Sequence, residues 1–219
     1  MDWLVLQLAD SAFPVGGFAH SAGLESCVQH GVVRGRDQVL RFVRDVLWQT
    51  GTGALPLVGA AHDAPDHLGD LDELCDAFLS NHVANRASRT QGLAFAATCD
   101  RVFRRPVLAA LSERIRSGAL RGHHAPVSGV AFRALDIARE DAQRIFLYSA
   151  LRGVVAAAIR LGLVGPHDAQ RIQQECAGEL DRVMLACAGL PPSEIAQTAP
   201  LVDLLQAAHD RLYCRLFQS

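Results

Sequence analysis

The sequence predicts an all-α protein folded as a single-domain helical bundle. Apolar residues recur mostly at the three- and four-residue spacing of amphipathic helices, and strict alternation over the length of a strand is hard to find. Half of the 219 residues are hydrophobic, which is enough to bury one sizeable core. We found no internal repeat or low-complexity tract in the sequence. One domain over residues 1–219 is therefore expected.

The first helices are predicted before residue 52. Leu24 and Glu25 open a helical run after a glycine-rich turn. Asp37 suits the cap of a second helix and Gly51 suits its end. The apolar residues of this second helix share one broad face: Val39, Leu40, Phe42, Val43, Val46 and Leu47.

A capping signal marks the next helical region. Asp70 and Glu73 have the spacing of a capping box. The apolar run that follows, as far as Val102, is long enough for two helices or for one long helix with a polar middle.

Prolines mark helix starts in the second half of the chain. Pro106 suits a first helical position, and Gly118 follows the expected end of that helix. Pro126 suits the start of another helix. Pro166 opens a helix that continues until shortly before the proline pair at 191–192.

The most apolar helix is predicted over residues 141–161, and its density of Ala, Leu, Ile and Val favours a central position in the bundle. A last helix is predicted to run close to the end of the sequence. Its apolar positions keep helical spacing: Leu201, Leu204, Leu205, Ala208, Leu212 and Leu216.

The charge balance argues against nucleic acid as a partner. The formal net charge is −2, and the basic residues do not concentrate in one stretch. All 21 basic residues are arginine. This choice favours forked contacts to carboxylates and backbone oxygens, although genomic base composition produces the same bias.

Cysteine usage and hydropathy indicate a cytoplasmic protein with no membrane partner. The six cysteines are scattered without a CxxC spacing, and the first residues lack the sections of a signal peptide. The most apolar stretch, 153–164, contains Arg160 and is shorter than the roughly 20 residues of a membrane span.

Sequence motifs do not favour an enzyme. The sequence has no GxxxxGK[ST] phosphate loop and no nucleophile elbow. His20, Ser21 and Glu25 resemble a hydrolase set only superficially, because a helix-opening turn supplies no oxyanion pocket. We expect Glu25 to cap or pair locally.

A pair of histidines is the weak candidate for a metal site. His123 and His124 have imidazole nitrogens that ligate nickel, but two ligands seldom hold a metal and no third is apparent nearby. We expect turn-forming or interface roles for both, and no metal site in the monomer. Symmetric dimerisation remains a way to bring two such pairs together.

Two segments at opposite ends of the sequence carry a resemblance to a known family. Residues 13–25 read FPVGGFAHSAGLE, with Pro14, Gly16, Gly17, Gly23 and Glu25 as the motif positions. Residues 209–219 read HDRLYCRLFQS. Together they resemble the urease accessory protein UreF family.

Three internal segments add to the resemblance in the expected order. Residues 86–92 read RASRTQG, residues 123–129 read HHAPVSG, and residues 160–170 keep a glycine and a glutamine of the family pattern. The chain departs from that pattern at Leu163, Pro166 and Ala169, where a tight turn is put in doubt, and in the tail at Asp210, Cys214 and Gln218.

The resemblance implies a non-enzymatic role in assembling the nickel centre of urease. Members of the family look like all-helical proteins that dimerise, bind the accessory protein UreD or UreH, and recruit the GTPase UreG to apo-urease. The chain itself would need no cofactor, since nickel and GTP are handled mainly by its partners.

The segments 1–30 and 201–219 are the regions expected to face partners. The residues assigned to partner binding on the resemblance are Arg86, Arg89, Gln91, His209, Tyr213, Arg215, Leu216, Phe217 and Ser219. Arg86 and Arg89 also invite comparison with an arginine finger, whereas Arg-rich runs are more commonly solvated helix faces.

The tail leaves two interpretations open. One is a segment that is loosely packed alone and becomes ordered on a UreD-like partner, so that deleting residues 212–219 removes partner binding and leaves melting nearly unchanged. The other is a tail that docks back onto the bundle through Leu212, Leu216 and Phe217. A helical enzyme or metalloprotein and a helical interaction module unrelated to urease are the alternative functions.

Overall fold

A computed structural model describes residues 3–219 and confirms the all-α fold, since no strand occurs among them. The α-helices are α1 (Trp3–Ala9), α2 (Leu24–Gln29), α3 (Arg36–Gly53), α4 (Leu55–Asp63), α5 (Leu68–Phe78), α6 (His82–Phe103), α7 (Pro106–Arg116), α8 (His124–Ala134), α9 (Arg139–Arg160), α10 (Pro166–Glu175), α11 (Ala177–Cys187) and α12 (Pro200–Ala207). Short 3-10 helices occupy Gly17–Ala19, Pro65–His67, Pro192–Glu194 and Ala208–Arg211. The first two residues of the predicted partner-facing segment 1–30 lie outside the described residues.

Helix α9 is the centre of the bundle, as its composition predicts. It packs against α3, α4, α8 and α10, and also meets α1, α2 and α11. Its buried side chains include Ile145, Leu147, Leu151, Val154 and Val155. A single core cluster extends from Leu8 near the start to Phe217 near the end.

The same helix is long and apolar enough to span a membrane, and it is the only such helix within residues 3–219. Half of its most apolar 18-residue stretch is buried inside the bundle. Packing on several sides accounts for the apolar composition, because a core helix has the same pattern as a span.

Proline positions locate helix starts well. Pro106 and Pro166 occupy first helical positions, as predicted, because a fixed φ and a missing N–H suit the first turn. Pro126 differs, since α8 begins two residues earlier at His124. The predicted helix from Pro166 is two helices, which part at Cys176.

Two predicted caps are wrong. Helix α3 begins after Gly35, so Asp37 lies inside its first turn, where a carboxylate favours the helix dipole. Helix α5 begins at Leu68, which places Asp70 in the first turn and leaves no capping box with Glu73. The ambiguous region after α5 is two helices, and the Asn81 side chain caps the second by accepting the N–H groups of Val83 and Ala84.

The prediction of a last helix as far as residue 216 is also wrong. Helix α12 ends at Ala207, a 3-10 turn follows as far as Arg211, and the remaining residues are not helical. The tail is extended instead against the amino-terminal segment, where its backbone N–H groups find other acceptors.

Candidate functional site

The two sequence segments that carry the resemblance meet in space. The backbone N–H of Ser21 donates to the carbonyl oxygen of Ser219 at 2.6 Å, and the Ser21 hydroxyl donates to the same oxygen at 3.0 Å. The N–H of Gln218 donates to the carbonyl of Ala19 at 2.8 Å. We call this contact between residues 13–25 and 209–219 the end clasp.

Glu25 is the polar centre of the end clasp. Its side chain is buried, and one carboxylate oxygen accepts the backbone N–H of Leu216 at 2.6 Å. The other oxygen accepts the N–H of Phe217 at 3.1 Å and lies 2.9 Å from Nε2 of the buried His209. Glu25 therefore pairs across the chain and not locally as expected, since a buried carboxylate requires several donors.

The glycine and proline positions of the first motif shape the turn that receives the tail. Gly23 caps α2 in the left-handed region at φ 88°, and a Cβ there would lie 3.0 Å from Cβ of Gln206 on α12. Gly16 also has positive φ, and Gly17 begins the 3-10 turn after it. The carbonyl of Pro14 accepts the Thr98 hydroxyl at 2.7 Å.

An arginine of the central helix holds the aromatic part of the tail. The Arg160 guanidinium carbon lies 4.1 Å from the ring centroid of Phe217 and 4.2 Å from that of Phe18. It also donates to the carbonyl oxygen of Phe18. Because Phe217 is buried here and Ser219 is buried beside it, the prediction of a loosely packed tail is wrong for these two residues.

Part of the tail remains on the surface. Tyr213 is fully exposed, Leu216 is half exposed, and Phe18 of the partnering turn is 69% exposed. The Tyr213 side chain has no hydrogen bond or ring contact with any residue of 3–219. Exposed aromatic and aliphatic side chains next to a fixed backbone are typical of protein interfaces.

A charged cluster borders this exposed edge. Arg86 on α6 makes a forked pair with Asp210 at 2.8 and 3.1 Å, and Arg215 reaches the same carboxylate at 3.3 Å. The pKa of Asp210 is lowered, chiefly by the Arg86 hydrogen bonds and with a smaller contribution from His82. The tail aspartate thus has an arginine partner on α6.

The other predicted α6 residues make no hydrogen bond or ion pair with the tail within residues 3–219. Arg89 is exposed and makes no ion pair with any described residue, whereas Gln91 faces the inside of the bundle. Of the three described residues, Arg86 is the one that is hydrogen-bonded to residues 209–219. The family motif at residues 86–92 was the signal in the sequence, and it does not identify which arginine reaches the tail.

His123 and His124 are used in different ways. His123 is fully buried, with Nδ1 3.2 Å from the Ser88 hydroxyl and Nε2 3.1 Å from Asp76. His124 packs against the rings of Phe95 and Phe146, and burial lowers its pKa to about 4. Within residues 3–219, no three His, Cys, Asp or Glu side chains are placed together to hold a metal ion.

The turn before α8 is organised by a residue that sequence reasoning missed. The buried carboxylate of Asp72 accepts the backbone N–H groups of Arg121, Gly122 and His123 at 2.7–3.0 Å. A lone aspartate in a helical pattern gave no signal of this role, because its partners lie about fifty residues further along the chain.

The hydrolase-like trio is part of the clasp. Ser21 uses its hydroxyl as a donor to the Ser219 carbonyl, and Nδ1 of His20 lies 2.5 Å from the Ser219 hydroxyl. Burial lowers the pKa of His20, with smaller contributions from the charges of Arg86 and His209. His20 and Ser21 therefore bind the tail and are not hydrogen-bonded to one another as a base and nucleophile would be.

Comparison with known proteins places the chain in one family. A family model described as UreF matches residues 33–177. The chain is 36% identical to "Urease accessory protein F" of Oryza sativa subsp. indica, over 98% of this chain and 84% of that protein. It is 36% identical to the protein of the same name from Arabidopsis thaliana, over 100% and 93% of the two chains. It is 30% identical to "Urease accessory protein UreF" of Bacillus sp. (strain TB-90), over 98% and 97%. The chain belongs to the UreF family.

Proposed function

We propose that this protein is a urease accessory protein that supports maturation of urease as a non-catalytic scaffold. The observation that carries the proposal is the near full-length similarity to proteins named urease accessory protein F. The end clasp adds a structural reason, because it unites both terminal family motifs in one structural feature with an exposed edge.

The proposed partners are a UreD- or UreH-like accessory protein, a UreG-like GTPase and apo-urease. In this proposal the chain acts in the cytoplasm as a homodimer, and its partners hold the nickel and the GTP. The exposed edge formed by Tyr213, Leu216 and Arg215 is the surface assigned to the UreD-like partner. Tyrosine and arginine are among the residue types that dominate interface energetics, and Leu216 adds exposed apolar area.

Complementation tests the function directly. Cells that hold urease and every accessory gene except the UreF equivalent receive this chain, and urea hydrolysis is assayed with nickel present. Rescue supports the maturation role. Failure of soluble, folded protein with its own cognate urease set would instead favour a helical interaction module unrelated to urease.

The exposed edge is tested by a substitution that leaves the fold alone. Because the Tyr213 side chain projects into solvent, Tyr213→Ala should leave melting unchanged and weaken co-purification with the UreD-like partner by about 10-fold or more. Leu185→Ala is the matched control, since Leu185 on α11 is 89% exposed and lies outside the clasp. Equal partner binding by both variants would reject this edge as the docking surface.

Arg86 and Arg89 are tested for an arginine-finger role by measuring GTPase turnover in the assembled complex. We expect Arg86→Ala to weaken assembly, because it removes the partner of Asp210, and to leave turnover per assembled complex unchanged. A large loss of turnover in Arg89→Ala with intact assembly would establish the finger role instead.

A further inference from the structure

A cavity of about 630 Å³ lies between the amino-terminal loop, α3, α6 and α9, and it opens to the surface beside the exposed Pro14 and Phe18. This size falls in the range of about 300–1,000 Å³ that is typical of small-molecule sites in proteins. The wall is mainly apolar and includes Phe13, Val46, Leu57, Phe78, Phe146 and Val154.

Two arginines of α9 line the cavity without a carboxylate partner. Arg152 and Arg160 are eight residues apart, which is about 12 Å along a helix. Neither forms a salt bridge with an acidic side chain of residues 3–219. The guanidinium of Arg152 donates to the carbonyl of Ala9, while the nearby Asp10 accepts the N–H of Ala12 at 2.7 Å.

The two arginines differ in the contacts that their guanidinium groups already make. Rings of Phe18 and Phe217 lie against that of Arg160 at 4.2 and 4.1 Å. Arg152 has one hydrogen bond to a backbone carbonyl and retains unused N–H donors. Burial lowers the pKa of Arg152, and the smaller opposing effects of Tyr148 and Asp10 do not offset it.

A buried polar atom without a partner also lies at the cavity wall. His20 lines the cavity, and its Nε2 atom is buried with no hydrogen-bond partner. Its other ring nitrogen is engaged by the Ser219 hydroxyl. When that hydroxyl donates to Nδ1, Nε2 carries the ring proton and is an unused donor.

Gly153 borders open space in the cavity. It lies within α9 at the cavity wall, and a Cβ atom built on it meets no atom within 4 Å. Gly92 on α6 differs, because a Cβ there would lie 2.0 Å from the carbonyl oxygen of Gly122.

We propose that the cavity binds a small amphiphilic carboxylate, whose apolar body lies between α3, α6 and α9 and whose carboxylate pairs with Arg152. The unpaired guanidinium supplies the charge complementarity, and a forked guanidinium matches a carboxylate geometrically. Tyr213, Arg215 and Leu216 of the exposed edge do not line this cavity, although Phe18 and Ser219 of the end clasp do. The proposal does not depend on the role in urease maturation.

The test uses sodium decanoate below its micellar concentration, with decyltrimethylammonium as a probe of similar chain length and opposite charge. Decanoate in about a hundredfold excess over its Kd should raise Tm by about 5 °C and give one site per chain by calorimetry. Decyltrimethylammonium should leave Tm unchanged. Equal shifts with both probes, or no shift with decanoate, would overturn the proposal.

Three variants test whether decanoate binds in the cavity and whether Arg152 recognises its carboxylate. Gly153→Leu places a side chain in the open space and should abolish decanoate binding, whereas Gly178→Leu, at an exposed helical glycine with equal room, should retain it. Arg152→Gln should weaken decanoate binding by about 10-fold and leave 1-decanol binding unchanged. Retained binding in Gly153→Leu, or an equal loss of both probes in Arg152→Gln, would contradict the assignment.

Discussion

At the scale of single residues, Glu25 illustrates how the fold uses a buried charge. Its carboxylate faces two backbone N–H groups of the tail and the ring of His209, all within 3.1 Å. A buried carboxylate is tolerated only with such donors, and removing one member of the set leaves the others unsatisfied. Glu25 is a position of the family motif, so the sequence identifies it as a candidate. Its partners lie more than 180 residues away, and no local sequence pattern predicts them.

We therefore predict a large effect of Glu25→Ala. It should lower the free energy of unfolding by about 3 kcal/mol, because it leaves His209 and two tail N–H groups without their acceptor. Urea unfolding followed by circular dichroism measures the change. Glu73→Ala is the control at an exposed acidic residue of α5, and a loss of similar size there would remove the argument for the clasp.

His124 gives a pH dependence whose sign follows from its burial. The folded pKa of about 4 lies below the ordinary histidine pKa of 6.5, so the unfolded chain binds the proton first as the pH falls. The contribution of neutral His124 is present above pH 6.5 and is lost as the pH falls toward 4. The full loss is about 3 kcal/mol, since each pKa unit corresponds to 1.36 kcal/mol.

The expected result is a steeper fall in stability between pH 6.5 and 4 for the natural chain than for His124→Gln. His67→Gln at an exposed histidine serves as the control and should keep the natural slope. Carboxylates with lowered pKa, such as Asp210, add their own loss only below about pH 4. Identical slopes in the natural chain and His124→Gln would show that this ring does not titrate as described.

At the scale of elements, the close approach of α6 to the turn before α8 explains one family segment. Gly92 lies where the backbone of residue 122 passes, so only glycine fits between them. The segment 86–92 thus has two roles: Gly92 packs against the turn, whereas Arg86 and Arg89 are exposed. The sequence of the segment does not show which residue has which role. Helices that begin at Pro106 and Pro166 are predictable because proline constrains the backbone locally.

Gly92→Ala should lower the free energy of unfolding by about 3 kcal/mol, because the added methyl would collide with backbone that cannot move cheaply. Gly178→Ala on α11, where a Cβ meets nothing within 4 Å, should instead raise it by up to about 1 kcal/mol. Thermal unfolding of the pair measures both changes. A neutral Gly92→Ala would mean that the turn relaxes away from α6.

Helix α12 shows why the last helix could not be predicted from periodicity. The apolar spacing continues beyond Ala207, yet the chain leaves the helix and its N–H groups at 216 and 217 bind Glu25. A tertiary acceptor thus outcompetes the helical hydrogen bonds that the pattern favours. Local patterns carry no information on such an acceptor, which is the general reason that the tail conformation was not predicted.

At the scale of the whole molecule, the clasp makes the two ends of the chain parts of one core. Phe217 belongs to the same buried cluster as Leu24 and the central helix, so the tail contributes to stability as well as presenting an exposed edge. The expectation that removing residues 212–219 leaves melting nearly unchanged is therefore revised. In a chain ending at residue 211, the carboxylate oxygens of Glu25 would lose their backbone donors from the tail. The face of the Arg160 guanidinium that Phe217 covers would become exposed.

We predict that this truncation lowers Tm by about 5–10 °C and preserves the helices around α9. Removing a buried phenylalanine alone costs about 3 kcal/mol, and the four hydrogen bonds of Ser219 and Gln218 are lost with it. Hydrogen exchange should show lost protection in α2, which contacts the tail, and retained protection in α9, whose packing lies mostly with other helices. Phe217→Ala in the full-length chain should reproduce part of the loss while keeping the backbone contacts. Unchanged melting in the truncated chain would mean that the tail is bound too weakly to stabilise the fold, and its contacts with Glu25 would then matter only in complexes.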